Sequence, residues 1–273
     1  MKALSLARRL RVIWSITKKD LKISFRFPKN FIAKRLIEPL RLFILMGLVY
    51  QSFFVLTGNQ TVGNWSRANY VPTLLIGAIF YSGFNYASGR FRTIFLNDKY
   101  WRTIQIFLTA PVSKIDYLIG SSLALVIELL IPVLLYLGAL HILYHVSLLD
   151  LLLVLAVLYV MLFGVLGFSL MQGAFVISNE NYLFIFDYFL AAWMLLSCFY
   201  YSNLALPVRL QFLIKINPVY HAVEIARTAV LHHLSPGQML SSALYLLTFS
   251  IVAPFLGAAF FRKMVREMGI RGF

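Results

Sequence analysis

A charged and aromatic segment separates two long apolar runs of this sequence: KYWRTIQIFLTAPVSKIDYLIG, from Lys99 to Gly120. Its first half has the spacing of a short amphipathic helix, and Pro111 predicts the end of that helix, because proline disfavours helical geometry in the preceding residue. Ser113 can cap the next helix, with Asp116 three residues later completing an imperfect capping box. A short polar helix over residues 99–110, between two apolar runs, indicates a surface for a partner.

The composition indicates the class of protein to which this segment belongs. Of the 273 residues, 60% are hydrophobic and 13% are charged, and the mean hydropathy is +0.80; soluble domains contain about 25% charged residues. A soluble core cannot bury this much apolar surface, so we expect an all-α integral membrane protein in a single domain, residues 1–273. The net charge of +15 would suggest nucleic acid in a soluble protein. Here membrane topology explains it better, and we expect no nucleic-acid partner.

Six apolar runs are each long enough for the roughly 20 residues that a transmembrane helix needs. The first span lies in the charge-free run Leu42–Ser66, with a helix that begins near Phe31 and a polar loop at Thr57–Asn69. The other predicted spans are Ala68–Gly89, Tyr117–Leu140, Leu151–Asn179, Tyr182–Leu206 and Met239–Phe261. The fourth run contains Gly164, Gly167 and Gly173. Small residues of this kind let neighbouring helices approach closely.

The distribution of lysine and arginine predicts the orientation of the spans. Residues 1–37 contain eleven, residues 90–114 contain five and residues 262–271 contain four. The opposite side has only four, Arg67, Arg209, Lys215 and Arg227. Both termini and the segment from Lys99 are therefore expected in the cytoplasm, as an even number of spans requires.

Two further helices are expected outside the spans. Residues 4–27 place apolar side chains on one helical face and basic side chains on another, which predicts an amphipathic helix at the membrane interface. Residues 207–237 are too long for a turn and too polar for a span. Within them Asn217 can cap a helix whose first residue is Pro218. We expect an extracytoplasmic helix there, re-entrant or capping, before the sixth span.

Two motifs of the sequence also resemble those of a known family. Basic residues precede T-x-x-x-x-L-T-x-P-V-S and an apolar run opening with L-I-G, at Thr103, Leu108, Thr109, Pro111, Val112, Ser113, Leu118, Ile119 and Gly120. The segment from Asn217 to Arg227 reads N-P-x-x-x-x-x-E-x-x-R. In this order the two motifs resemble the coupling helix and the segment before the last span of type-2 ABC exporter permeases. Glu224 and Arg227, three residues apart, can pair on the second helix.

The resemblance implies that a separate ATPase binds the coupling helix. The expected contact residues are Lys99, Tyr100, Trp101, Arg102, Thr103, Phe107, Thr109 and Pro111. Closure of the ATPase pair on ATP would push on this helix, spans 1, 2 and 5 would part, and the substrate would move outward. The dipeptide Gly-Lys does not occur in the chain, so there is no P-loop. We therefore expect no enzyme on this chain, with ATP and Mg²⁺ on the partner ATPase.

Substrate and assembly are implied by the same resemblance. Six spans make half of the usual translocation unit, so a second copy, as a homodimer, is expected in the cytoplasmic membrane. The family exports lipid-linked polysaccharides, lipids and hydrophobic drugs. The basic amphipathic N-terminus and the aromatic spans fit a lipid-linked polysaccharide or glycolipid, and they also leave a drug or lipid efflux permease open.

Five residues are candidates for lining the pathway. They are Glu128, Tyr188, Trp193, Tyr200 and Tyr201. Glu128 is the only acidic residue deep in an apolar run, and such a residue is a functional hypothesis by default. It could bind a cationic group or fix span 3 to a neighbour; a carboxyl near an interface, or a neutral hydrogen-bonded one, is the alternative. For each aromatic ring taken alone, ordinary packing or an interfacial belt is the alternative.

Other functional classes fit the sequence less well. A membrane-embedded transferase would need a cluster of acidic or histidine residues, and the ten acidic residues are dispersed. An ion-coupled transporter usually shows an inverted repeat and several buried charges. His141 and His145, four residues apart, could share a helix face with Asp150 nearby, but no metal site is expected there.

Overall fold

The chain is almost entirely helical, and the computed structural model describes residues 6–63, 65–102, 113–231 and 236–270. The helices are α1 (Leu6–Phe25), α2 (Pro28–Thr57), α3 (Tyr70–Ser88), α4 (Arg90–Tyr100), α5 (Lys114–Tyr144), α6 (Leu148–Ser178), α7 (Tyr182–Leu196), α8 (Gln211–Ile216), α9 (Pro218–Leu231) and α10 (Pro236–Ile270). Helix α2 contains one π-helical turn, Ala33–Ile37. The remaining elements are a two-stranded hairpin, β1 (Thr61–Val62) and β2 (Trp65–Ser66), and two 3₁₀ turns, Asn203–Ala205 and Val208–Leu210.

Four helices in the described part of the chain are long and apolar enough to cross a membrane. They are Pro28–Thr57, Ile115–Tyr144, Leu148–Ser178 and Gly237–Met264. These match the first, third, fourth and sixth predicted spans, so the all-α membrane class is confirmed. Helices α3 and α7 occupy the second and fifth predicted spans. Helix α7 has 15 residues, about 22 Å of helix, which is shorter than the roughly 30 Å hydrocarbon core.

One predicted span end is confirmed and another is wrong. The first span ends at Thr57, where the polar loop Thr57–Asn69 is predicted to begin, and Gly58 follows with a left-handed φ of +66°. The fifth ends at Leu196 instead of Leu206. Cys198 has a φ of +51°, and a left-handed residue turns the chain out of an α-helix. Apolar composition alone could not locate this second turn.

Helix α6 is the central element of the bundle and packs along α10. Gly167 lies directly against the backbone of Ala253 and Pro254, and Gly257 lies against the carbonyl of Gly167. A Cβ atom at either glycine would collide with the facing backbone. On the same helix, Ser169 Oγ accepts a hydrogen bond of 3.0 Å from the backbone N–H of Phe91 in α4. The predicted close approach of helices at the glycines of the fourth run is confirmed.

Helix α1 packs on the first turns of α5. Thr17 Oγ1 donates a 2.9 Å hydrogen bond to the carbonyl of Gly120, and the side chain of Ile16 contacts that glycine. Leu10 and Trp14 remain 57% and 53% exposed. The predicted amphipathic helix is therefore present, packed on α5 along one side and with exposed apolar side chains at Leu10 and Trp14; its position at a membrane interface stays a prediction.

The predicted capping box at the start of α5 is wrong. Ser113 occupies the N-cap position but its side chain makes no capping hydrogen bond. Asp116 instead forms an ion pair with Arg9 of α1, at 2.7 Å between Oδ1 and Nη2. The guanidinium–carboxylate bond raises the pKa of Arg9 above its ordinary value. A charged partner from another helix thus replaces the local backbone contact.

Candidate functional site

The predicted coupling residues begin where α4 ends. Tyr100 and Trp101 are 78% and 72% exposed, and their rings meet edge-on with centroids 5.3 Å apart. Arg102 follows with a φ of +57°, so the backbone turns away from the helix there. The predicted coupling residues Thr103, Phe107, Thr109 and Pro111 lie outside the described residues. The described part of this segment is an exposed aromatic pair at a helix end.

The loop between α6 and α7 lies next to this aromatic pair. Lys99 Nζ is 3.1 Å from a carboxylate oxygen of Glu180, and the chain turns at residues 178–181. The structure brings the two segments together at one end of the bundle.

Helix α4 is firmly attached to the bundle beneath the exposed pair. Phe91 and Phe95 are buried, and the Phe95 ring stacks on Phe261 of α10 at 5.2 Å. On another side, Arg92 forms an ion pair with Asp187 of α7. A force applied at the exposed end of α4 would consequently reach α6, α7 and α10.

Glu128 lies in a buried charge cluster that joins four helices. Its carboxylate accepts hydrogen bonds from Arg35 of α2 and, at 2.7 Å, from Ser24 Oγ of α1. Arg90 Nη1 lies 3.6 Å from the Glu128 carboxylate, while Arg90 Nη2 lies 3.1 Å from Asp20 of α1. The carboxyl group is completely buried. Among the roles considered for Glu128, these contacts favour the one in which its side chain fixes span 3 to neighbouring helices.

The π-helical turn of α2 helps to place Arg35 in this cluster. A π turn holds one more residue than an α turn and so changes the facing of the side chains in it. Arg35 is 9% exposed, and its guanidinium lies over the ring of Tyr86 at 3.6 Å. The Tyr86 hydroxyl donates to the carbonyl of Lys34. Sequence reasoning missed Arg35, Arg90 and Asp20; of these, only Arg90, directly after the second apolar run, offered a signal.

The aromatic pathway candidates occupy two kinds of environment. Tyr188 is 63% exposed on the surface of α7. Trp193 and Tyr200 are buried, and Tyr201 is half-buried. The Trp193 Nε1–H donates to Asn217 Oδ1 at 2.7 Å, so this indole supports the loop before α9. Of the four rings, only Tyr188 faces outward from the folded chain.

Asn217 connects α7 to α9. Its Oδ1 accepts the backbone N–H of Val219 at 2.9 Å, and the helix begins at Pro218, as the capping pattern predicts. Its Nδ2 donates to Ser197 Oγ at 2.9 Å. The amide side chain of Asn217 thus caps α9 and also binds Ser197, the residue that follows α7.

Arg227 holds the turn that follows α7. It is 3% exposed, and its Nη2 donates to the carbonyls of Cys198 and Phe199 at 2.8 and 2.9 Å. The guanidinium lies 5.0 Å from the ring of Trp65, and Glu224 is 3.9 Å away. Burial lowers the pKa of Arg227 from its ordinary value, and the Glu224 carboxylate opposes that shift. Helix α9 is therefore fixed within the fold against α3, α6 and α10.

Comparison with known proteins identifies one matching family. The model of the ABC-2 type transporter family matches residues 11–231. This range includes the segment from Lys99 to Gly120, the buried charge cluster and the Asn217–Arg227 helix. A comparison with curated proteins gives no match.

Proposed function

The chain belongs to the ABC-2 type transporter family, and from this premise we propose that it is the permease subunit of an ATP-driven exporter. The substrate in this proposal is amphiphilic and moves outward across the cytoplasmic membrane. The observation that carries the proposal is the family match over most of the chain, which contains both of the motifs noted in the sequence.

The proposed topology has six spans, α2, α3, α5, α6, α7 and α10, with both termini in the cytoplasm. The clustering of lysine and arginine supports this orientation. Helix α1 would lie along the cytoplasmic interface, since its exposed apolar side chains need a lipid environment. Helix α9 would lie on the opposite side.

The ATPase would dock on the exposed end of α4, at Tyr100 and Trp101. Large exposed aromatic side chains are the residue type that most often anchors protein interfaces, and the neighbouring loop at Glu180 would widen the contact. ATP and Mg²⁺ would bind only the partner. Closure of the ATPase pair would then push α4, which packs on α6 and contacts α7 and α10.

A second copy of the chain would complete the translocation unit. Helix α7 supports this proposal, because among its residues only Leu190 and Trp193 are buried. Its outer face carries Phe184 and Tyr188, with ring centroids 4.5 Å apart. Apolar aromatic rings at such a face would suit a lipid-linked polysaccharide or glycolipid, as well as contact between copies.

The docking proposal is tested by replacing Trp101 with alanine. Tagged permease would be purified in mild detergent together with the ATPase, and the ATPase-to-permease ratio measured. We expect Trp101→Ala to lose most of the bound ATPase. Trp14→Ala is the matched control, because Trp14 is an exposed tryptophan on α1, and it should retain the ATPase. Equal ratios for Trp101→Ala and unmodified protein would refute docking at α4.

The substrate class is tested with the reconstituted complex. Lipid-linked glycans, simple phospholipids and hydrophobic drugs would be added separately, and ATP hydrolysis measured. Stimulation by the glycan carrier alone supports the proposed substrate. Stimulation by drugs alone would instead assign the chain to drug efflux.

A further inference from the structure

A cavity of about 670 Å³ lies between α1, the first turns of α2, the end of α3, α4 and α5. It is bounded by side chains of both charged and apolar types. The charged groups that matter here are Lys19, Asp20, Lys34, Arg35, Arg90 and Asp98. The cavity is distinct from the proposed ATPase contact at Trp101 and from the aromatic face of α7.

The positive charge of the cavity is only partly neutralised within the protein. Four cationic side chains line it, against the two lining carboxylates and Glu128 next to them. Asp20 is paired with both Lys19 and Arg90, each at 3.1 Å. Lys34 has no carboxylate partner among the described residues and is exposed. One cation at the mouth of the cavity is thus available for an anionic ligand.

Arg35 also lines the cavity, and its guanidinium is not fully hydrogen-bonded. Its Nη2 binds Glu128, whereas its Nη1 has no hydrogen-bond partner among the described residues. The residue is 9% exposed. An unpaired donor on a buried guanidinium is energetically unfavourable, and a ligand oxygen that approached Arg35 would relieve it. Phosphate oxygens are the usual partners of such a group.

The rim of the cavity is apolar. Ile23 and Phe27 are each 61% exposed, and the rings of Phe25 and Phe31 pack with centroids 4.8 Å apart. Of these, Phe25 lies on the same face of α1 as the exposed Leu10 and Trp14, a face that needs a lipid environment. The site therefore presents cationic donors within and exposed hydrocarbon around its mouth.

From these observations we propose that the cavity binds the phosphate group of a membrane lipid, with Lys34 and Arg35 as its cationic contacts. The acyl chains would lie over Ile23 and Phe27. A headgroup held in this way would link α1 to α2 beside the Glu128 cluster. The proposal goes beyond the transport function and does not depend on which substrate is exported, since any phosphate-bearing lipid of the surrounding leaflet could occupy the site.

The test uses the full chain, purified in an uncharged detergent, and native mass spectrometry to count bound lipid. The probe is dioctanoyl phosphatidic acid, with dioctanoylglycerol as the uncharged analogue and inorganic phosphate as competitor. We expect saturable binding of one phosphatidic acid and no comparable binding of the diacylglycerol. Competition by millimolar phosphate would assign recognition to the phosphate alone; resistance to it would assign recognition to the whole lipid.

Two charge reversals separate this site from general attraction to a basic surface. Lys34→Glu should weaken binding of phosphatidic acid by about tenfold or more. Lys29→Glu is the matched control, since Lys29 lies in the same helix but does not line the cavity, and it should leave binding unchanged. Both proteins should elute as folded permease on gel filtration. Equal weakening by the two reversals, or equal binding of diacylglycerol, would overturn the proposal.

Discussion

Arg35 and Arg227 are both buried, but they are held by different kinds of partner. Arg35 lies over Tyr86, near the C-terminal end of α3, and pairs with the carboxylate of Glu128. Arg227, at the other end of α3, donates to two backbone carbonyls and lies against Trp65. The first arrangement depends on opposite charge and joins separate helices. The second depends on one guanidinium nitrogen, Nη2, which donates to two carbonyls of one turn.

The largest effect is expected from removing the carboxylate at the first site. Glu128→Ala leaves Arg35 buried beside Arg90 with no counter-charge, and breaking one side of a buried pair typically destabilises by about 3–5 kcal/mol. Thermal unfolding of the solubilised protein measures this change. The double variant Arg35→Met, Glu128→Leu should recover much of the loss. A Glu128→Ala protein as stable as the unmodified one would contradict the charge-based arrangement.

Lysine substitutions sharpen the contrast between the two arginines. Arg227→Lys keeps the charge, but its side chain is shorter and has no planar group to lie against Trp65. The bonds to the two carbonyls should therefore weaken, at a cost of about 2 kcal/mol. Arg35→Lys retains a cation opposite Glu128 and should be less destabilising. The same unfolding assay compares them. If Arg35→Lys proves the more damaging of the two, the proposed difference between the sites is wrong.

Asn217 provides a smaller effect on the Arg227 side. Asn217→Ala removes the cap of α9 and the bonds to Trp193 and Ser197, and we expect a loss of about 2 kcal/mol. Ser147→Ala is the matched control, because Ser147 is also an N-cap residue. The only backbone group that its Oγ binds at the start of α6 is the N–H of Asp150. Its loss should be near 1 kcal/mol. Equal losses would mean that Asn217 acts only as a cap.

The smallest effect is expected where charges meet in solvent. The Lys99–Glu180 pair is partly exposed on both sides, and pairs of this kind contribute less than about 1 kcal/mol. A double-mutant cycle with Lys99→Ala and Glu180→Ala, measured by the free energy of unfolding, should therefore give a small coupling energy. A coupling as large as that of Arg35 with Glu128 would remove the distinction between exposed and buried pairs.

Local signals in the sequence predicted those parts of the fold that depend on local composition. The long apolar runs, the close packing at Gly167 and the cap at Asn217 each follow from residue type and spacing. The end of α7 at Leu196 was not predictable in this way, because it depends on Arg227 binding the carbonyls of Cys198 and Phe199 from far along the chain. The partner of Asp116 was missed for the same reason, since Arg9 belongs to another helix.

The charge cluster around Glu128 shows most clearly which contacts cannot be predicted from the sequence. Glu128 was singled out because a carboxyl in an apolar run is unusual, yet its partner Arg35 is 93 residues away. Arg35 is positioned by a π turn, which residue type and spacing do not predict. A single buried charge can therefore be noticed from sequence, whereas the ion pair that accommodates it requires the structure.

Native mass spectrometry of the tagged protein, extracted gently from its own membranes, tests the proposed exporter most directly. The account predicts two copies of this chain together with two soluble ATPase chains, and a bound glycolipid would identify the substrate class as well. A monomer without an ATPase, from membranes in which the fold is intact, would contradict it.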